Sequence, residues 1–266
     1  MRWRISGWPV FRRLGVRAVT LSAAFAAGAL ACGSSGGVTG PPPGEGPAIL
    51  FVGNSLTYFN DMPDIVAAIS LGAEDDSPMR VGMIAFGGFS LEDHWNQGDA
   101  LDAIDTGDWD VVVLQQGPST LPESRDHLVE WAGSFAERIR AAGAEPALYS
   151  VWPTDGTEAG YDATLASYAA AAEAVDGMLI PAGEAWRAAR ARDSTLDFTL
   201  GDGFHPSLLG SVVVAYSVWH AVGGRTPVGL PPEIESPDVE RITMPPALAA
   251  LVQQAVVEAQ DAHGLP

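Results

Sequence analysis

Short apolar runs recurring between longer amphipathic stretches constrain this chain more than any other feature. Residues 48–53 (AILFVG), 80–85 (RVGMIA), 110–115 (DVVVLQ), 146–151 (PALYSV) and 177–181 (GMLIP) lack clean polar alternation, as parallel strands covered on both faces do. Between them the spacing predicts helices over residues 62–71, 91–104, 125–142, 161–174 and 184–191, with two more over 207–222 and 246–263. Asp61 ahead of Pro63 is a start signal and Gly143 after Ala142 a stop signal. Strand–helix alternation of this kind folds as a doubly wound parallel sheet with helices on both sides. Ligands of such sheets bind beyond the carboxyl ends of the strands, where strand order reverses. The residues that directly follow each strand are therefore the ones to read for function.

Charge narrows what such a ligand can be. The first 31 residues hold five arginines and no acid, whereas the remainder sets 9 arginines and no lysine against 33 acids, hence a net −24. That surface repels phosphate backbones, so no nucleic-acid partner is expected. With no lysine and no G-x-x-x-x-G-K-[ST] loop, a flavodoxin-like nucleotide binder is disfavoured. The single cysteine, Cys32, excludes an intramolecular disulfide and a multi-cysteine metal site. His94, His127, His220 and His263 are scattered, and no metal is expected.

The N-terminus reads as an address. Residues 1–17 are basic, and residues 18–31 form an apolar run with the length of a signal-peptide core, short for a membrane span. The run ends Gly28-Ala29-Leu30-Ala31-Cys32, which resembles the lipobox of bacterial lipoproteins, with Ala29 where leucine is usual. The resemblance implies removal of residues 1–31 and lipidation of Cys32; plain secretion is the alternative. Residues 32–47 are rich in Gly, Ser and Pro and are expected to form a tether. A soluble domain, residues 48–266, would then meet a membrane only through its lipid anchor.

Two strand-end segments carry the chemistry. After the first run comes Gly53-Asn54-Ser55-Leu56-Thr57. A serine delivered by a strand into a Gly-assisted turn stands at the rim of the sheet, although Ser55 taken alone serves as well as a helix cap. Far downstream lies Gly201-Asp202-Gly203-Phe204-His205-Pro206-Ser207. A serine nucleophile needs a base within hydrogen-bond reach, and that base needs an acceptor to fix its tautomer. An aspartate three residues before a histidine supplies both groups from one loop.

Together the two segments resemble the first and last sequence blocks of the SGNH (GDSL-type) hydrolases, over residues 48–225. The resemblance implies an α/β fold, a flavodoxin-like three-layer α/β/α sandwich with a five-stranded parallel sheet. It also implies a catalytic triad of Ser55, His205 and Asp202 that needs no cofactor, and an oxyanion hole built on the backbone N–H groups of Ser55 and Gly88. Asn54 stands where the family name has aspartate. After the third strand the family shows G-x-N-D, with asparagine as a further donor; this chain reads Leu114-Gln115-Gln116-Gly117-Pro118-Ser119. Adjacent glutamines at a buried strand's end need partners, so Gln116 or Gln115 is expected to donate to the oxyanion, ahead of Ser119. Asn54, His94 (with Trp95), Trp152 and Phe204 are candidates for the pocket wall, with plain packing as the competing role for His94 and Trp152.

The expected activity is ester hydrolysis through an acyl-enzyme, with O-acetyl groups on carbohydrate as the leading substrate and a small-molecule or polysaccharide ester as partner. A lipase, thioesterase or acyltransferase using the same triad is one alternative. A non-catalytic glycan-binding surface lipoprotein is another.

Overall fold

The computed structural model describes residues 40–73, 77–154 and 156–264. Strands β1 (Ala48–Gly53), β2 (Arg80–Ala85), β3 (Val111–Leu114), β4 (Glu145–Tyr149) and β5 (Met178–Ile180) make one parallel sheet in the order β2-β1-β3-β4-β5. All of β1 is buried, as a central strand covered on both faces must be. The chain leaves β1 in one direction to form β2, then crosses back to form β3 on its other side. The carboxyl end of β1 is therefore the switch point of the sheet.

The helices are α1 (Ser55–Tyr58), α2 (Met62–Gly72), α3 (Leu91–Gln97), α4 (Asp99–Thr106), α5 (Pro122–Ala141), α6 (Glu158–Ala174), α7 (Ala182–Arg192), α8 (Leu208–Gly223) and α9 (Pro246–His263). Contacts among α2, α7, α8 and α9 make one layer, and contacts along α3, α4, α5 and α6 make the other. Two helical layers around a parallel sheet give the expected three-layer α/β/α sandwich. The core is dominated by β1, β3, β4 and α8, a helix buried all round, where consecutive Val212, Val213, Val214 and Ala215 are all fully buried.

Three local differences from the sequence reading have clear causes. The helix expected over residues 91–104 is two helices, because Gly98 adopts a left-handed φ of 97° that ends α3 and starts α4. Helix α5 begins earlier than expected, at Pro122, where the missing N–H of proline costs nothing in the first turn. The proline-rich stretch after α8 contains an antiparallel hairpin, β6 (Glu233–Ser236) and β7 (Val239–Thr243), whose Ile234 packs into the core.

The expected leader, Cys32 and the tether as far as residue 39 lie outside the described residues. Residues 40–47, read as tether, run against the sheet edge instead. The Arg80 guanidinium donates to the carbonyls of Gly46 (2.8 Å) and Pro42 (3.0 Å). Gly46 is buried against the backbone of Ser77 and Pro78, so the packed domain starts before Ala48.

Candidate active site

The turn after β1 is built for close approach. A Cβ on Gly53 would come within 2.3 Å of Thr57 Oγ1 and 2.5 Å of Gln115 Oε1, so only glycine lets the strand end fold this tightly. Asn54 then caps α1: its Oδ1 accepts from Leu56 N at 3.1 Å. The cap places Ser55 at the first helical position, on the rim of the sheet and only 8% exposed.

The second segment is a closed loop between Phe198 and Ser207. Leu200 N donates to His205 O (2.7 Å), Gly203 N to Leu200 O (2.9 Å) and Ser207 N to Phe198 O (2.8 Å). Inside it the Asp202 carboxylate accepts from the N–H groups of Phe204 (2.9 Å) and His205 (3.0 Å) through Oδ1. Its Oδ2 lies 2.6 Å from His205 Nδ1. The hydrogen bond from the imidazole, reinforced by the two backbone N–H groups, holds the Asp202 carboxyl down to about 2.

The two segments meet although they are far apart in sequence. His205 Nε2 is 3.0 Å from Ser55 Oγ. With Nδ1–H directed at Asp202, Nε2 carries the lone pair that faces the hydroxyl. The join is sewn by residues that the motif reading missed. Asn60, in a left-handed conformation (φ 55°), donates from Nδ2 to Pro206 O (3.0 Å) and Ser211 Oγ (2.9 Å). Ser211 Oγ donates in turn to Phe59 O at 3.2 Å. The Phe59 ring covers one face of the His205 imidazole, with centroids 4.4 Å apart. The sequence-local signal is the pair Asn60-Asp61, residue types that tolerate the left-handed region both adopt here better than most.

A cavity of about 580 Å³ opens from Ser55, lined by Asn54, Gly88, Phe89, Gln116, Ser119, His127 and Phe204 among others. Gly88 sits at φ 77°, a conformation open to glycine at little cost. Among the described residues, the N–H groups of Ser55 and Gly88 donate to no protein acceptor. Gln116 also reaches the cavity. Its Nε2 donates one hydrogen to Ser119 Oγ (3.0 Å), its Oε1 accepts from Leu91 N (3.2 Å), and its backbone N–H and C=O are both clamped by Tyr168 Oη, at 3.1 and 2.7 Å. Ser119, at a left-handed φ of 55°, also lines the wall.

Three of the expected site residues have other roles. Gln115 is fully buried and faces away from the cavity. Its Oε1 accepts from Asn54 N (2.9 Å) and Thr57 Oγ1 (2.8 Å), while its Nε2 donates to Asn54 Oδ1 (3.1 Å) and Gln116 O. Both polar ends are thus engaged in shaping the serine turn, and the amide is not available to an oxyanion. Trp152 is also buried, stacked on Trp186 at 3.5 Å, and its Nε1 donates to Phe204 O at 2.8 Å, so it supports the histidine loop from beneath. His94 is fully buried behind β1, its Nε2 2.7 Å from Gly53 O; Trp95 packs farther off against Trp131 and Phe135. Asn54 and Phe204 do line the cavity.

No family model and no curated protein matches the sequence. Among solved structures the chain is similar to a protein assigned to the SGNH hydrolases from Slackia heliotrinireducens, with 28% identity and a TM-score of 0.58 over 67% of this chain and all of the other. It also resembles a DUF4886 family protein from Bacteroides uniformis (20% identity, TM-score 0.64, 81% of this chain and 95% of the other). An acetylxylan esterase from Geobacillus stearothermophilus shares the fold at 17% identity, with a TM-score of 0.55 over 68% of this chain and 95% of that one. In its sheet order and in the serine turn after β1 the chain is similar to the SGNH-type hydrolases, as these likenesses show.

Proposed function

We propose that this hydrolase is a serine esterase that removes O-acetyl groups from carbohydrate. One observation carries the reading: Ser55 Oγ lies 3.0 Å from His205 Nε2, while the other nitrogen of that ring lies 2.6 Å from an Asp202 carboxylate oxygen. A hydroxyl, a base and an orienting carboxylate in that sequence are the parts of nucleophilic acyl transfer.

In the proposed reaction Ser55 Oγ attacks the ester carbonyl as its proton passes to His205 Nε2. Asp202 stabilises the imidazolium through Nδ1–H. The oxyanion is met by the N–H groups of Ser55 and Gly88 and by the second Nε2 hydrogen of Gln116, which takes the place of the missing asparagine. His205 gives its proton to the leaving alkoxide, then removes one from water as the resulting hydroxide attacks the acyl-enzyme; collapse of that second tetrahedral adduct expels Ser55 Oγ, which takes the proton back from His205, and the acid product ionises to carboxylate on release. No step requires a metal or an organic cofactor.

The substrate class is supported by the fold shared with an acetylxylan esterase and by an open cavity whose lining sets the hydroxyl-bearing Ser90, Ser119 and Ser124 beside aromatic Phe89 and Phe204. The N-terminal sequence supports export, with the domain anchored through a lipid on Cys32 or secreted outright.

The test is direct. The protein should hydrolyse p-nitrophenyl acetate and react with a fluorophosphonate probe, and Ser55→Ala should abolish both while its circular dichroism is unchanged. Undiminished turnover in the alanine variant would dismiss Ser55 as nucleophile, and a wild-type protein inert to both reagents would point to a binding module.

A further inference from the structure

The cavity that begins at Ser55 ends at a wall the proposed chemistry does not use. There α5 presents His127 to the cavity, and its Nε2 lies 3.0 Å from Glu92 Oε2 on α3. Both side chains are partly exposed, at 32% and 47%. A pair this open adds little to folding stability, about 0–1 kcal/mol, so holding the fold together is a weak reason for it.

The geometry points to a substrate subsite: we propose that His127, oriented by Glu92, accepts a hydrogen bond from a hydroxyl of a neutral carbohydrate bound in the cavity. Glu92 accepts the Nε2–H and thereby fixes the tautomer in which Nδ1 bears a lone pair. That nitrogen has no partner among the described residues. The other lining groups fit the same class of ligand. Phe89 and Phe204 put aromatic rings in the lining for the C–H surface of a sugar, while Ser90, Ser119 and Ser124, whose hydroxyls already donate within the protein, each keep one acceptor lone pair for a sugar hydroxyl. Glu92 and Glu123 give this end of the cavity a negative field with no arginine in the lining, which disfavours carboxylated or phosphorylated ligands. A long alkyl chain laid along the same wall would desolvate the Glu123 carboxylate without replacing its hydrogen bonds, at about 1–3 kcal/mol or more for a charged group left unpaired.

The catalytic half of this inference rests on the esterase reading; the binding half does not, and two measurements separate them. In the first, kcat/KM for acetylated xylotetraose is divided by kcat/KM for p-nitrophenyl acetate, in wild type and in His127→Ala. The quotient should fall about 5- to 20-fold in the variant, mostly through KM, as loss of one or two modest hydrogen bonds would give. Glu92→Gln should move it the same way, by less. In the second, unacetylated xylotetraose is titrated calorimetrically into Ser55→Ala and into Ser55→Ala/His127→Ala, and the double variant should bind more weakly by a similar factor. An unchanged quotient together with equal binding, or no binding of xylotetraose to either protein, overturns the subsite. If wild type cleaves neither ester, the esterase reading falls alone, and the titration still decides whether His127 holds the sugar.

Discussion

The ring of Phe59 lies flat against the imidazole of His205, with centroids 4.4 Å apart and planes inclined by 18°. Phe59 follows Ser55 by four residues, so one short segment supplies both the hydroxyl and a wall that limits rotation of the base that serves it. Removing the wall should leave the base present but less often aligned. Phe59→Ala is expected to lower kcat by about 3- to 10-fold, the equivalent of one aromatic stack of 0.5–1.5 kcal/mol. Phe59→Tyr should retain most of the rate. Steady-state kinetics on p-nitrophenyl acetate would check this, and an alanine variant with wild-type kcat would show that the loop fixes His205 unaided.

Asp202 holds the loop as well as the base, because its two oxygens are shared between two backbone N–H groups and the imidazole. Asp202→Asn should lower kcat by about 10²- to 10⁴-fold, since an amide presents no charge to the imidazolium and can impose the wrong tautomer. Stability gives a second readout. The carboxyl is held down from 3.8 to about 2, so its contribution is present above 3.8 and is lost as pH falls through about 2. Melting temperatures of wild type and Asp202→Asn should therefore differ at pH 5 and converge toward pH 2; parallel curves would contradict the linkage.

The two glutamines after β3 should separate cleanly. Gln116→Ala removes an amide that faces the cavity, and kcat should fall about 10²- to 10³-fold if that amide is an oxyanion donor. Gln115→Ala leaves Asn54 N without its acceptor and strips the serine turn of its support, so its larger effect should be on stability, about 1–3 kcal/mol. Denaturation and turnover measured on both variants would show the contrast. Equal loss of activity at equal stability would return Gln115 to the site.

Why Gln115 and Gln116 could not be told apart in sequence is a matter of strand geometry. Successive side chains leave a strand on opposite sides, but the carboxyl end of β3 is Leu114, and beyond it the phase is set by what the backbone meets. Here that is the hydroxyl of Tyr168 from α6, 52 residues away, which no local pattern announces. The strands and most helices were legible because burial on two faces leaves long apolar runs, as in β1. Ser55, Asp202 and His205 were legible because each sits in a short motif whose spacing is itself the geometry. Trp152 could be read either way, with packing the commoner role, because an aromatic after a strand looks the same whether it lines a cavity or, as here, stacks on Trp186 and props the carbonyl of Phe204. Asn60 and Phe59 went unnoticed because their partners arrive from α8 and the histidine loop, far along the chain.

His94 gives the last prediction, a pH dependence set behind the site. Its ring is fully buried among Phe86 and Phe89, Nε2 lies 2.7 Å from Gly53 O, and Nδ1 has no partner among the described residues. Burial pushes the imidazole below its usual 6.5, and the opposing influence of the Gly53 carbonyl, Asp93 and Asp99 does not reverse this. The unfolded chain therefore binds the proton more readily than the folded one. Stability is fully present above 6.5 and is lost as pH falls through the lowered folded value. His94→Asn can keep a donor to Gly53 O without a titrating ring, so its melting temperature should fall less than that of wild type between pH 7.5 and 5. A larger fall in the variant would mean that protonated His94 finds a partner in the folded state, and that the turn carrying Ser55 is held more firmly in acid than this geometry allows.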